Sequence, residues 1–171
     1  MATPEGWRLA QLSAVCERVT DGTHQTVEVS TDGTVPFLYV SCIRDGRIHW
    51  NKAATISETV FAEVSRGREP QRGVVLYTAV GSYGHAAILE SNAPVAFQRH
   101  IAYLRPKLAD LASGYLAAFL NSPSGRRYAD RVASGNAQKS VTLSELSRFT
   151  LPLPPLPEQR KIAAILSAVD E

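Results

Sequence analysis

The amino-acid sequence predicts an α+β domain, and three observations carry that reading. Runs rich in β-branched and aromatic residues, separated by turn dipeptides, fill the first two-thirds of the chain. After Pro106 the apolar period lengthens to that of a helix. Strands and helices are segregated rather than alternating, which argues against a doubly wound parallel sheet. The 171 residues suit one domain with a core of its own, and no internal repeat or low-complexity tail interrupts them.

Near the start, Trp7, Leu9, Leu12, Val15, Cys16 and Val19 are spaced for a short helix or for a strand leading into a helix. Asp21-Gly22 and then Thr31-Asp32-Gly33-Thr34 are turn signals. Residues 35–43 (VPFLYVSCI) read as a buried strand. Asp45-Gly46 is a hairpin signal, with the alternating residues 47–50 as its return. Residues 65–73 form a polar loop carrying three arginines. A buried strand follows at 74–80, then the glycine-bounded turn GSYG (81–84) and a partner strand at 85–90. Residues 95–106 read as one more strand or a bent pair.

Leu111, Tyr115, Phe119 and Leu120 then share a helical face, with Ser113 as the expected N-cap. Ser122-Pro123 opens a second helix, with Gly135 its expected C′ residue. Its Arg126, Arg127 and Arg131 read as a solvated face. Thr142 and Glu145 fit a capping box for a short third helix. Prolines hold 149–157 extended. Pro157 then starts a terminal helix with Glu158 in its first turn. Ile162, Ile165, Leu166 and Val169 make one apolar stripe, with Arg160, Lys161 and Asp170 off it. A helix of about 12–15 residues is marginal alone in water. This one therefore folds back on its own domain or packs on a partner.

Composition sets limits on function. The formal charge of +2 permits nucleic-acid binding without arguing for it. Cys16 and Cys42 are too few and too far apart for a disulfide scaffold or a zinc knuckle, and read as reduced thiols of a cytosolic protein. No stretch approaches the length of a membrane span, and the N-terminus lacks a signal peptide, so a cytoplasmic location is expected. There is no dinucleotide fingerprint, phosphate-loop lysine motif or nucleophile elbow. His24, His49, His85 and His100 show no metal-ligand spacing. The expectation is a non-enzyme without cofactor or metal.

The closing segment LPLPPLPEQRKIAAILSAVDE (151–171) resembles the specificity subunits of type I restriction–modification systems, in which a proline-leucine run followed by Pro-Glu-Gln opens a long helix. Other segments match in order: GW at 6–7, DGTH at 21–24, VPFLYVSCIRDGRI at 35–48, GSYGHAAIL at 81–89, FQRHIAYLRP at 97–106 and SGNAQKSVTLSELSRFTLPLPPLPEQ at 134–159. The resemblance covers nearly the whole chain. It implies a target recognition domain over residues 1–155 and the start of a spacer or dimerisation helix over 156–171. In that family each such domain reads one half of a split DNA target. The helices set the spacing and dock adenine-methylating subunits, which in turn support the restriction subunits. The subunit itself does no chemistry, in keeping with the lack of an Asn/Asp-Pro-Pro-Tyr motif. The sequence departs from the family in carrying one recognition domain and the first turns of one helix.

Expected partners are therefore double-stranded DNA, methylating and restriction subunits, and a second copy through the terminal stripe Ile162, Ile165, Leu166 and Val169. Residues on turns that can enter a groove are the DNA-contact candidates: Thr23, His24, Arg44, Ser82, Tyr83, His85, Gln98, Arg99, Asn136, Gln138, Lys139 and Ser140. His24 and Gln98 could instead satisfy backbone groups, and Tyr83 could belong to the core edge. A module of this kind buries about 600–1,000 Å² on DNA, so binding by one copy alone is expected to be weak. The alternative is an interaction module that binds the methylating subunit without reading DNA.

Overall fold

A computed structural model describes residues 4–67 and 69–169. The chain opens with β1 (Arg8–Gln11), a single helical turn α1 (Leu12–Val15) and β2 (Cys16–Asp21). Next come β3 (Val35–Leu38), the short strands β4 (Ile43–Arg44) and β5 (Arg47–Ile48), β6 (Ala54–Ile56) and α2 (Glu58–Val64). The middle holds β7 (Val75–Thr78), β8 (Ala86–Ile88), β9 (Ala96–Phe97) and β10 (Ile101–Pro106). The last third holds α3 (Ser113–Asn121), α4 (Pro123–Val132), α5 (Leu143–Arg148), β11 (Thr150–Leu153) and α6 (Leu156–Val169). The segregated α+β architecture is as the sequence predicts.

A four-stranded antiparallel sheet in the order β2-β10-β7-β8 forms the centre. Both of its faces are covered, and strand periodicity shows how. On β7, Val75 and Tyr77 enter one apolar cluster together with Ala102 and Leu104 of β10, Leu12, Leu116 and Leu146. The alternate residues Leu76, Ile101 and Tyr103 enter a second cluster with Leu38, Ile43 and Phe97. Every residue of β7 is consequently buried, and the strand reads as a continuous apolar run rather than an alternating one. A third cluster lies under α2 and the three-stranded sheet β6-β3-β9, around Phe37, Ile56 and Val64.

Some elements differ from the sequence expectation. Residues 35–43 break after Leu38. A 3-10 turn at Val40–Cys42 moves the chain from the sheet of β3 to the β4–β5 hairpin. That hairpin turns on Asp45 at φ 51 and Gly46 at φ 73, the left-handed pair that a two-residue turn requires. α2 is an addition, capped by Ser57, whose hydroxyl accepts from the Val60 amide at 3.2 Å. Residues 95–106 are the bent pair, folded at 98–100. Ser113 is inside α3 and does not cap it; Ala112 holds the cap position. Gly135 lies beyond the end of α4, where Ala133 caps through the Ala129 carbonyl at 2.8 Å. Ser122 and Thr142 cap α4 and α5 as expected, each accepting from an amide three residues on at 3.2 Å. The Glu145 carboxylate turns to Arg148 at 3.5 Å.

The first turns of the terminal helix fold back on the domain, and its far half stays exposed. β11 pairs antiparallel with β1 and delivers the chain to α6 beside α3. There Gln159, 0% exposed, joins three separate segments. Its Oε1 accepts from the Ala112 amide at 2.9 Å, and its Nε2 donates to the carbonyls of Asp110 at 2.8 Å and Pro154 at 2.9 Å. Ala163 packs on α3 so closely that a Cβ on Gly114 would lie 3.0 Å from its own. Ile162 is half-buried against the core. One turn later the helix leaves the globule, with Ile165 65% and Leu166 46% exposed. The Val169 side chain and residues 170–171 lie outside the described residues.

Replacing Gln159 with Ala orphans the Ala112 amide and two carbonyls and is expected to cost about 2–4 kcal/mol. Gln159→Glu keeps the acceptor, loses both donors and is expected to cost as much or more. Urea unfolding with an unchanged m-value is the check.

Candidate nucleic-acid interface

Antiparallel order places four strand ends at one rim of the central sheet. β2 ends at Asp21, β10 starts at Ile101, β7 ends at Thr78 and β8 starts at Ala86, with Asp21 opposite Ala102 and Thr78 opposite Ile101. The loops that leave this rim carry the sequence candidates. Residues 22–24 and 97–99 are clipped together: the Thr23 amide donates to the Phe97 carbonyl and the Arg99 amide to the Thr23 carbonyl, both at 2.9 Å. Position 22 has no room for a side chain, because a Cβ on Gly22 would sit 2.1 Å from the Phe97 carbonyl oxygen. The loop 134–140 zips onto the glycine turn. The Gly81 amide donates to the Lys139 carbonyl at 3.0 Å and the Val141 amide to the Ala79 carbonyl at 2.8 Å. The Ala79 amide reaches the His100 carbonyl at 2.8 Å, which joins the two loop groups.

Four stretches far apart in sequence thus form one polar rim, and Arg44 joins it through His85. His24, Ser82, Arg99, Asn136, Gln138 and Lys139 are exposed there; Tyr83, Gln98 and Ser140 are half-buried. Thr23, also a candidate, lies inside the turn. It is 5% exposed, and its hydroxyl accepts from the Gln25 amide at 3.1 Å, so it shapes the turn. His24 lies 2.7 Å from the Asp21 carboxylate. Tyr83 packs at the core edge and donates its hydroxyl to Asp130 of α4 at 3.0 Å.

Arg126 is a correction. It does not sit on a solvated helix face, but reaches under the glycine turn. Its Nη2 lies 2.7 Å from His85 Nδ1 and its Nη1 3.4 Å from the Tyr83 carbonyl. Arg44 Nη1 approaches the other ring nitrogen, Nε2. The His85 amide donates to the Thr78 hydroxyl at 2.9 Å, which fixes the backbone that carries the ring. Burial, then the Arg126 and Arg44 guanidiniums, push the imidazole down to about 4, opposed by Asp45. His100 was not among the candidates, yet it stands beside Arg99, 3.4 Å from its Nε. Its imidazole is held low by burial, then by Arg99 and His24. A signal for Arg126 is present in the sequence: Gly125 and Ala129 mark the docking face of α4, and residue 126 lies on its edge.

Among the described residues no group of three His, Cys, Asp or Glu could hold a metal, and no helix is long and apolar enough to cross a membrane. Cys16 and Cys42 are buried free thiols. Burial pushes the Cys16 thiol up to about 12 against the opposing field of Lys107, which leaves it unreactive. An open groove of about 1280 Å³ runs between Ala163, Leu166 and Ser167 of α6 and Ile48 and Trp50, with Gly114 and Ala117 of α3 along it.

The type I restriction modification DNA specificity domain matches residues 4–171. The type I restriction enzyme EcoBI specificity subunit of Escherichia coli is 24% identical over 161 residues, 93% of this chain and 34% of the relative. The chain thus spans about a third of that relative's length. In structure it matches a chain from a type I restriction–modification system assembly, with a TM-score of 0.73, 22% identity, 99% of this chain and 39% of that one. It also matches the HsdS subunit of Thermoanaerobacter tengcongensis, with a TM-score of 0.67, 24% identity, 99% of this chain and 38% of that one. These structures share the fold.

His85 makes the rim sensitive to acid. An unfolded histidine takes its proton near 6.5 and the folded His85 near 4. The unfolded state therefore holds more protons in that interval, and stability is lost as pH falls through it. Denaturant unfolding across this range should show that slope and should lose it in His85→Gln. Ring NMR should show His85 still neutral at about pH 5, between those two values.

Proposed function

The chain belongs to the type I restriction modification DNA specificity family, and we propose that it serves there as a reader of one half of a bipartite DNA target. The observation that carries this reading is the single rim where residues 22–24, 98–100, 81–85 and 134–140 converge around Arg44, Arg99, Arg126 and Lys139. A net charge of +2 is small for a DNA-binding chain, and what supports contact with a duplex is where the cations stand. Arginine and lysine on phosphates set register, and the exposed side chains of Asn136, Gln138 and Ser82, with the half-buried Gln98, supply donors and acceptors for base edges. The chain's part is recognition. Methyl transfer and cleavage belong to other subunits, and the setting is the cytoplasm where such machinery meets DNA.

The exposed half of α6 supports a second surface. Ile165 and Leu166 lie on its free face, and Leu166 lines the groove beside Trp50. We take this stripe as the seat of an antiparallel helix, from another recognition half or a second copy, with methylating subunits docked on the helix pair and restriction subunits through them. A module that bound protein without reading DNA would use this stripe and leave the polar rim without a role.

With the methylating subunit reconstituted, Lys139→Ala and Arg99→Ala are each expected to slow methylation of the target about 5- to 150-fold, the worth of one contact of about 1–3 kcal/mol. Exchanging residues 134–140 for another loop should change the methylated motif in one half of the target, read by methylome sequencing. An unaltered motif and rate would refute the assignment of these loops. Leu166→Asp should leave the thermal unfolding of the globule in place and weaken helix-mediated association at least tenfold, seen by analytical ultracentrifugation.

A further inference from the structure

The geometry around His85 points to an anion site formed by Arg44, His85 and Arg126, and we propose that it takes a phosphate oxyanion of the DNA backbone. This rests on the DNA-reading function proposed above and adds to it Arg126 and the chemistry of the contact.

A guanidinium has donors and no acceptor, and a neutral imidazole has one acceptor nitrogen. Here both ring nitrogens face guanidinium N–H groups: Arg126 Nη2 lies 2.7 Å from Nδ1, and Arg44 Nη1 faces Nε2. One of these contacts sets a donor against a donor. Neither arginine pairs with a carboxylate among the described residues. The acids nearby are otherwise placed: Asp130 takes the Tyr83 hydroxyl, and Asp45 stands at the exposed hairpin tip, acting on His85 through its field. Two cations thus converge on a half-buried ring with no anion between them.

An oxyanion at this point resolves the mismatch. It accepts from both guanidiniums and lets the imidazole turn from contested acceptor to donor. The cradle is built into the fold. Thr78 fixes the His85 backbone, the Tyr83 carbonyl holds Arg126 at 3.4 Å, and a Cβ on Gly84 would press on Arg126 Nη1 at 3.1 Å. The Tyr77 hydroxyl, in the field of Arg126, is buried and lacks a hydrogen-bond partner among the described residues. Two arginines around one centre suit a phosphate, whereas a guanine edge takes a single arginine in bidentate fashion. The position on the rim, beside Lys139 and Arg99, makes the duplex backbone the source of that phosphate.

The test titrates the chain with its cognate duplex, with unrelated duplexes and with inorganic phosphate alone. Arg126→Ala, Arg44→Ala and the milder Arg126→Lys and Arg44→Gln are compared at several salt concentrations, with near-ultraviolet circular dichroism confirming the fold. Loss of the site should weaken every duplex by the same factor and lower the salt slope by about one. Duplex should also shift the His85 ring resonances and raise its pKa in the unsubstituted chain. Unchanged affinity and slope in the fold-competent variants, with Lys139→Ala still weakening binding, would overturn the site and leave DNA reading standing. A changed preference at one base pair with the slope intact would make the cluster a base reader. A response to inorganic phosphate without any effect on duplex binding would make it a site for the free ion. Absence of binding to any duplex by the unsubstituted chain and its reconstituted complex would overturn the DNA reading itself, and the site's assignment with it.

Discussion

Burial of both faces of the β2-β10-β7-β8 sheet constrains everything else in this molecule. Val75, Tyr77 and Leu104 point to the helices, while Leu76, Ile101 and Tyr103 point to the smaller sheets. Apart from the edge strand β2, where Glu17 and Arg18 are exposed, the sheet offers its faces to nothing else. What remains free is the rim where strands turn back, and there backbone amides and carbonyls must find partners outside the ladder. They find them in other loops: the 23–24 turn against 97–99, and the 134–140 loop against the glycine turn. The polar rim is thus a consequence of how the core closes.

That rim also reconciles a small net charge with the proposed DNA-facing role. Carboxylates elsewhere offset the cations in the sum, as where Glu17 holds Arg105 at 3.0 Å and Glu145 holds Arg148. At the rim, Asp21 and Asp130 are taken up by His24 and Tyr83, and Arg44 and Arg126 are left converging on one imidazole. Local placement decides what a duplex would meet, because screening limits the reach of distant charges to about 10 Å at ordinary ionic strength.

α6 shows a division of labour within one helix. Its first turns are tied down by Gln159, whose amide is matched at both its oxygen and its nitrogen, and by the close approach of Ala163 to Gly114. Such a junction fixes the direction in which the rest of the helix leaves the globule. The apolar residues beyond it, Ile165 and Leu166, keep their exposure. A stripe with that spacing suits a second helix.

The amino-acid sequence by itself determined the local features. The Asp45-Gly46 turn, the Ser122 and Thr142 caps, the buried strand at 75–78 and the stripe on the terminal helix all depend on neighbours a few residues away, and local propensity and periodicity report them. The ordered motifs ending in LPPLPEQ likewise carried the family resemblance. Tertiary structure decided which distant residues meet. Arg126 reaches His85 across 41 residues, Gln159 joins Asp110 across 49, and Thr23 turns inward because residue 97 approaches its backbone. The break after Leu38 follows from two sheets competing for one apolar run, and α2 from a cap that a short, weakly periodic segment does not announce. Pairings of that kind arise from packing and hydrogen-bond closure over long sequence separations, for which a single chain carries no local signal.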